Sequence, residues 1–175
     1  YTFFKARGLE IGKSLLEADK VAYAKEILAQ AGDKLVFPVD CMITDFFDFE
    51  ARKIGILTEV SADAIPAGWQ SLDIGSKSIE VFRAVLENAR TVIWNGPMGV
   101  FEIDETARGT YAIAELLAQV TAKGATTVIG GGDSASAVNK AGVADRVSHV
   151  STGGGASLEF IEGKTLPGVA ALTDK

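Results

Sequence analysis

The chain of 175 residues is 47% hydrophobic and carries 23 acidic against 17 basic side chains, a formal charge of −6. This composition excludes a disordered segment, which buries too little apolar surface to offset its ordering entropy, and it predicts one sizeable core, a single domain or most of one. The acidic balance argues against nucleic acid or an anionic membrane surface as partner, and no apolar run reaches the about 18 residues of a bilayer-spanning helix. The single cysteine, Cys41, has no partner for an intramolecular disulfide, and with the single histidine, His149, it makes no usual zinc set. A reducing, cytoplasmic setting fits that usage, and the first residues lack the charged-then-apolar order of a signal peptide.

Tyr1-Thr2-Phe3-Phe4-Lys5 opens in apolar sequence with no methionine, turn or cap before it, which predicts a start inside a domain with an opening strand upstream. Over Asp19 to Ala31, Val21, Ala24, Ile27 and Leu28 recur at helical spacing. Leu35 to Val39 predicts a first strand. Ile54 to Val60 predicts a second, polar and alternating, at an edge or outside the main sheet. A helix near Lys77 to Ala89 follows the Asp73-Ile74-Gly75-Ser76 turn. Thr91 to Trp94 and Thr126 to Ile129 read as buried, continuous strands. Between them, Asp104 to Lys123 places Ile113, Leu116, Leu117 and Val120 on one face. Asp104 and Glu105 in its first turn, and Lys123-Gly124 at its end, agree with the helix dipole and a glycine C-cap. Both amphipathic segments read as crossover helices, and Val147 to Val150 is the fifth strand. The alternation predicts an α/β fold: three layers, α/β/α, with a mainly parallel, Rossmann-like sheet truncated at its N-terminal side. No linker, low-complexity segment or repeat divides the chain.

Two glycine turns, Gly130-Gly131-Gly132-Asp133-Ser134 and Ser151-Thr152-Gly153-Gly154-Gly155-Ala156-Ser157, each follow an apolar run. Glycines let backbone approach a ligand, and the helix that follows directs unpaired N–H groups and its positive dipole end at an anion. One such turn is as well explained by close packing; two point to phosphate. A third loop, Trp94-Asn95-Gly96-Pro97-Met98-Gly99-Val100-Phe101-Glu102, also leaves a strand's C-terminal end, where open α/β sheets bind ligands. Glu102 could bond sugar hydroxyls and Asn95 could orient a phosphate or carbonyl, although each residue type also serves as an ordinary loop or helix-entry residue. Asp133 fits either an N-cap or a Mg²⁺ ligand beside a nucleotide, and position alone leaves both open. Neither glycine run has the spacing of a dinucleotide fingerprint. His149 and Cys41 lack a partner for a nucleophilic dyad and read as packing residues, as do Trp69 and Trp94. Asp45, Asp48 and Glu50 around Phe46, Phe47 and Phe49 read as a solvated loop or edge.

Those three loops, together with Ser148-His149-Val150 leading into the second glycine turn, Leu158-Glu159 after it, and Glu162-Gly163-Lys164-Thr165-Leu166-Pro167-Gly168-Val169, resemble the phosphoglycerate kinase family. Leu35-Val36-Phe37-Pro38-Val39-Asp40, Ile65-Pro66-Ala67-Gly68-Trp69 and Leu72-Asp73-Ile74-Gly75 extend the resemblance over nearly the whole chain, in the family's order. The resemblance implies that residues 1–175 are the C-terminal, nucleotide-binding domain, incomplete at its start, of a monomeric, cytoplasmic, two-domain glycolytic enzyme. Such an enzyme passes a phosphoryl group between 1,3-bisphosphoglycerate and Mg·ADP, giving 3-phosphoglycerate and Mg·ATP.

By the same resemblance, Glu102 binds the ribose, Asp133 serves Mg²⁺, and Gly131, Gly132 and Ser134 surround the nucleotide phosphates with Asn95 and Pro97 beside them. Gly153, Gly154 and Gly155 present amides to the transferring phosphoryl group, and Leu72 lies along the adenine pocket. Two departures stand out. The family's phosphate-binding lysines belong upstream of Tyr1, and Lys5 is no substitute, because Thr2 to Lys5 matches a helix. Gln70-Ser71-Leu72 replaces a methionine-glycine-leucine pattern, so Ser71 adds a side chain where backbone approach is usual. With the phosphoglycerate site in the other domain, this chain alone is expected to be inactive as a kinase; the alternative is a nucleotide-binding module without catalysis.

Overall fold

In the computed structural model, which describes residues 1–172, the first strand begins at Asp40, just past Pro38. Leu35 to Val39, expected as a strand, runs outside any ladder. Pro38 has no N–H to give, and the Val39 N–H goes instead to Ser78 Oγ at 2.9 Å. The described chain divides into two compact units: Tyr1–Glu87 with Met98–Ile113, and Asn88–Pro97 with the chain from Ala114 onward.

The first unit opens with helix α1 (Thr2–Ala6); a connection over residues 7–20, ending in a single turn at Ala18–Lys20, leads to α2 (Val21–Ala31). Of the four apolar positions expected to face the core, Ala24 alone is fully buried, and α2 packs on α1 instead of crossing between parallel strands. Strand β1 (Asp40–Thr44) is followed by a small hairpin, β2 (Phe47–Asp48) and β3 (Lys53–Ile54), then by β4 (Leu57–Ser61) and β5 (Gln70–Ile74). The expected strand Ile54 to Val60 is broken at Gly55 and Ile56, whose N–H groups turn to Phe46 O and Asp45 Oδ1. Its edge position holds: the sheet order is β4-β1-β5, antiparallel throughout. Cys41, Ile43 and Ile65 form its core, with Tyr1, Val60 and Trp69 packed against them. Helix α3 (Ser76–Leu86) follows, and after Met98 a short turn at Asp104–Thr106 leads into α4 (Arg108–Ala122).

The parallel architecture lies in the second unit. Strands β6 (Thr91–Asn95), β7 (Thr126–Gly130) and β8 (His149–Ser151) pair in that order, all parallel. Helix α5 (Gly132–Lys140) leaves β7, and α6 (Gly154–Ile161) and α7 (Pro167–Ala170) follow β8. Gly124, at φ +99°, closes α4 as the glycine C-cap. Strand β7 is buried as expected, but β6 is an edge strand: Trp94 is 7% exposed whereas Ile93 is 45% exposed. No described helix is long and apolar enough to cross a membrane.

Two carboxylates of the first unit are buried on backbone amides. Asp40, on β1, accepts the Lys77 and Ser78 N–H groups, each at 2.8 Å, and so caps α3 from a neighbouring strand. Burial pushes its carboxyl up, but the bonds from the Ser78 hydroxyl and these amides outweigh burial and hold it below the usual value of 3.8. For Asp73, on β5, burial dominates and pushes the carboxyl up to about 6, against the amides of Gly109 and Ile74 and the charge of Arg108. The two groups act in opposite directions on the pH profile. Asp40 contributes stability that is present above its unfolded value and lost as pH falls through its lowered one. The Asp73 contribution is complete below its unfolded value and lost as pH rises through about 6. Chemical denaturation across that range is expected to show Asp40→Ala destabilised by about 1–3 kcal/mol near neutrality, with the difference shrinking in acid. Asp73→Asn is expected to abolish the component of stability that wild type gains between pH values of about 6 and about 4.

Candidate functional site

Because β6, β7 and β8 are parallel, their C-terminal ends fall along one edge, and the register sets Asn95 beside Gly130 and Gly130 beside Ser151. The loops leaving that edge meet at backbone contact. A Cβ on Gly154 would lie 2.7 Å from Gly131 Cα and 2.9 Å from Asn95 Oδ1. Gly131, at φ +93°, adopts a conformation that side-chain-bearing residues avoid, and its N–H bonds Ser151 O at 3.1 Å, stitching the two turns together. Ser134, 1% exposed, accepts the Gly96 N–H on its Oγ at 2.7 Å and ties the third loop to the first turn of α5.

These contacts enclose a cleft of about 330 Å³ lined by Asn95, Gly131, Gly132, Asp133, Ser134, Gly154 and Gly155, with Gly96, Gly130, Thr152 and Leu158. The N-termini of α5 and α6 both open into it. The N–H groups of Gly132, Asp133, Ser134 and Gly155 have no acceptor among the described residues, leaving a set of donors and two positive dipole ends suited to an anion. Asp133 is exposed in the first turn of α5, where Gly131 is the N-cap and no side chain caps, so the capping role weighed for it is not what it performs. It is the one carboxylate lining the cleft. Among the described residues no three His, Cys, Asp or Glu gather into a metal site. A lone carboxylate suits Mg²⁺ shared with substrate phosphates and does not suit an all-protein cage.

The remaining expected residues fall elsewhere. Gly153 caps α6 but does not line the cleft; its N–H goes to Ser151 Oγ at 3.2 Å, and the Gly154 N–H goes to Thr152 O. Pro97 follows the β6 loop without lining the cleft. Glu102 and Leu72 belong to the first unit. Leu72 is a buried β5 residue whose carbonyl accepts the Val100 N–H at 2.7 Å. Ser71 beside it is also buried, its hydroxyl within 3.4 Å of the Met42 and Asp73 carbonyls. Glu102 is half-buried, between the fully buried Phe101 and Ile103. Cys41 and Trp94 are buried packing residues, whereas His149 is exposed at the start of the edge strand β8. Thr152 and Leu158, which the sequence reading passed over, join the cleft because they flank its second glycine turn.

A parallel sheet whose strand ends carry glycine turns and helix N-termini defines the Rossmann-like class of α/β proteins. Comparison with known proteins narrows the class. A family model described as "Phosphoglycerate kinase" matches residues 1–164. The chain is 56% identical over 175 residues to the phosphoglycerate kinase of Latilactobacillus sakei subsp. sakei, covering 100% of this chain and 42% of that protein. It is 55% identical over 175 residues to that of Staphylococcus saprophyticus subsp. saprophyticus, covering 100% and 43%. Among solved structures, phosphoglycerate kinase from Coxiella burnetii matches with a TM-score of 0.86 at 37% identity, over 97% of this chain and 43% of that one. The Pyrococcus horikoshii OT3 enzyme matches with a TM-score of 0.80 at 34% identity, over 98% and 42%. The chain belongs to the phosphoglycerate kinase family, and it spans less than half the length of these relatives.

The packing of the two turns separates neighbouring glycines. Gly154→Ala is expected to cost about 1–3 kcal/mol in chemical denaturation, because its Cβ would meet backbone. Gly155→Ala meets nothing within 4 Å and is expected to be neutral or to stabilise α6 by about 0.5–1 kcal/mol.

Proposed function

We propose that residues 1–175 belong to the nucleotide-binding, C-terminal domain of a phosphoglycerate kinase, and that the cleft takes the phosphates of ADP or ATP with Mg²⁺. The observation that carries this reading is the opening of two helix N-termini, with four unpartnered amides, into one cleft of a chain in this family. In the second unit, Gly131, Gly132 and Ser134 surround the phosphates with Asn95 beside them and Pro97 just past the cleft lining, and Asp133 holds Mg²⁺ together with the phosphates. The Ser134 Oγ accepts from the Gly96 N–H, which fixes the side chain and leaves its own N–H and its O–H as donors for a phosphate. Of the Gly153 to Gly155 turn, the Gly155 N–H is the donor left for the transferring phosphoryl group. In the first unit, Glu102 binds the ribose hydroxyls and Leu72 sits beside adenine.

In the proposed reaction a β-phosphate oxygen of ADP attacks the acyl phosphate of 1,3-bisphosphoglycerate, and the bond from phosphorus to the carboxyl oxygen breaks. ATP and 3-phosphoglycerate result. The leaving group is a carboxylate and takes no proton, so positioning and charge stabilisation carry the catalysis and no side chain acts as a general base. We assign the phosphoglycerate site to polypeptide outside these residues, in keeping with the 42% of relatives' length that the chain covers. The parent enzyme is proposed to be a monomeric, cytoplasmic enzyme of glycolysis.

Calorimetric titration with Mg·ADP is expected to show saturable binding that Glu102→Ala and Asp133→Ala each weaken by roughly tenfold. A folded chain that binds no nucleotide would contradict the assignment. The chain alone is expected to transfer no phosphoryl group until the rest of a phosphoglycerate kinase is added as a complementing fragment. Activity of the chain by itself would refute that division of labour, and intact ADP binding with no complementation would favour a non-catalytic module.

A further inference from the structure

We infer that Asp73 is a positioning residue for nucleotide binding: it fixes the Met98–Ile103 segment that carries Glu102, and so sets how firmly the ribose hydroxyls are held. The inference rests on the reading of Glu102 as the ribose ligand. Asp73 is 1% exposed, on β5, and each of its carboxylate oxygens accepts one amide: Oδ2 from Gly109 at 2.6 Å and Oδ1 from Ile74 at 2.8 Å. Gly109 lies in the first turn of α4, directly before Thr110, whose Oγ1 accepts the N–H groups of both Met98 and Gly99 at 3.1 and 3.2 Å. The next amide, Val100 N–H, bonds the carbonyl of Leu72, the residue before Asp73. Three successive amides ahead of Glu102 are therefore held by β5 and by the start of α4, and Asp73 joins these two supports to each other.

The space around the carboxylate agrees with that role. A Cβ on Gly99 would lie 2.3 Å from Leu72 O and 2.6 Å from Asp73 Cα, and one on Gly109 would lie 2.3 Å from Asp73 Oδ1. The segment thus sits on Asp73 with no room for a side chain on either side. Downstream, Thr106 Oγ1 donates to Val100 O at 2.6 Å, and the buried Phe101 and Ile103 fix the chain on both sides of Glu102. The Glu102 carboxylate has no hydrogen-bond or ion-pair partner among the described residues. Its placement therefore depends on the backbone beneath it. An ionisable group buried on two amides is a poor choice for packing alone, since an apolar side chain would fill the space without a desolvation cost.

The test compares Mg·ADP with Mg·2′,3′-dideoxy-ADP, which lacks the ribose hydroxyls, in wild type, Asp73→Asn, Glu102→Ala and the double variant. Asn keeps the shape of Asp but turns one acceptor into a donor facing an amide. Asp73→Asn is expected to weaken ADP by roughly threefold to tenfold, to leave the dideoxy nucleotide unchanged, and to add nothing in the Glu102→Ala background. Equal weakening of both nucleotides, full additivity in the double variant, or no change overturns the inference. Should Asp73→Asn fail to fold, Gly109→Ala displaces the same carboxylate from the helix side and is expected to give the same hydroxyl-dependent loss. Binding that is indifferent to Glu102 and to the ribose hydroxyls would sink the ribose assignment, and the role of Asp73 with it. Binding that responds to Glu102 but not to Asp73 would sink the positioning role alone.

Discussion

The contact between Gly131 and Gly154 is the constraint on which the candidate site depends. Two parallel strands deliver their chains to the same edge, where a Cβ on Gly154 would meet the Gly131 backbone and Gly131 itself turns at φ +93°. Glycine meets that demand in both turns, and the bond from the Gly131 N–H to Ser151 O uses the closeness so created. The consequence is chemical. With the turns in contact, the unpaired N–H groups at the starts of α5 and α6 face one cleft instead of two separate stretches of solvent. A site built from backbone donors carries no full positive charge, and this is compatible with a chain whose formal charge is −6.

The first unit solves a different problem with buried carboxylates. Its sheet is antiparallel, and α3 starts beside it without a local side-chain cap. Asp40 supplies the α3 amides from β1, and Asp73 reaches an amide in the first turn of α4 from β5. Each bond links residues more than 30 positions apart in sequence. Strand and helix are thereby coupled through polar groups whose protonation sets part of the stability.

Much of the second unit was legible in the sequence because its signals are local. The apolar runs at Thr91 and Thr126 and the two glycine turns, after Thr126 and after Val147, are each read within a few residues, and each falls where an element begins or ends. The first unit was less legible because its elements depend on distant partners. Leu35 to Val39 has strand composition, yet Pro38 and the pull of Ser78 on the Val39 N–H keep it out of the ladder. Gln70 to Ile74 carries polar side chains at Ser71 and Asp73 that mask a buried strand, because their partners, the Met42 carbonyl and the Gly109 N–H, lie far along the chain. The engagement of the Gly153 and Gly154 amides within their own turn, and of the Ser134 hydroxyl by the loop at Gly96, was likewise invisible, since no spacing rule reports which groups of a glycine turn are already taken.

Under the proposed function these observations have one use: backbone donors for phosphates and one carboxylate for a shared Mg²⁺ in the second unit, and in the first unit a braced segment carrying Glu102. The proposed function puts nucleotide phosphates in the cleft between the two glycine turns. Following backbone amide resonances by NMR during addition of Mg·ADP tests it most directly. The largest saturable shifts are expected at Gly131 to Ser134 and at Gly154 and Gly155. Saturable binding that leaves those amides unmoved, with the perturbed residues elsewhere in the chain, would contradict it.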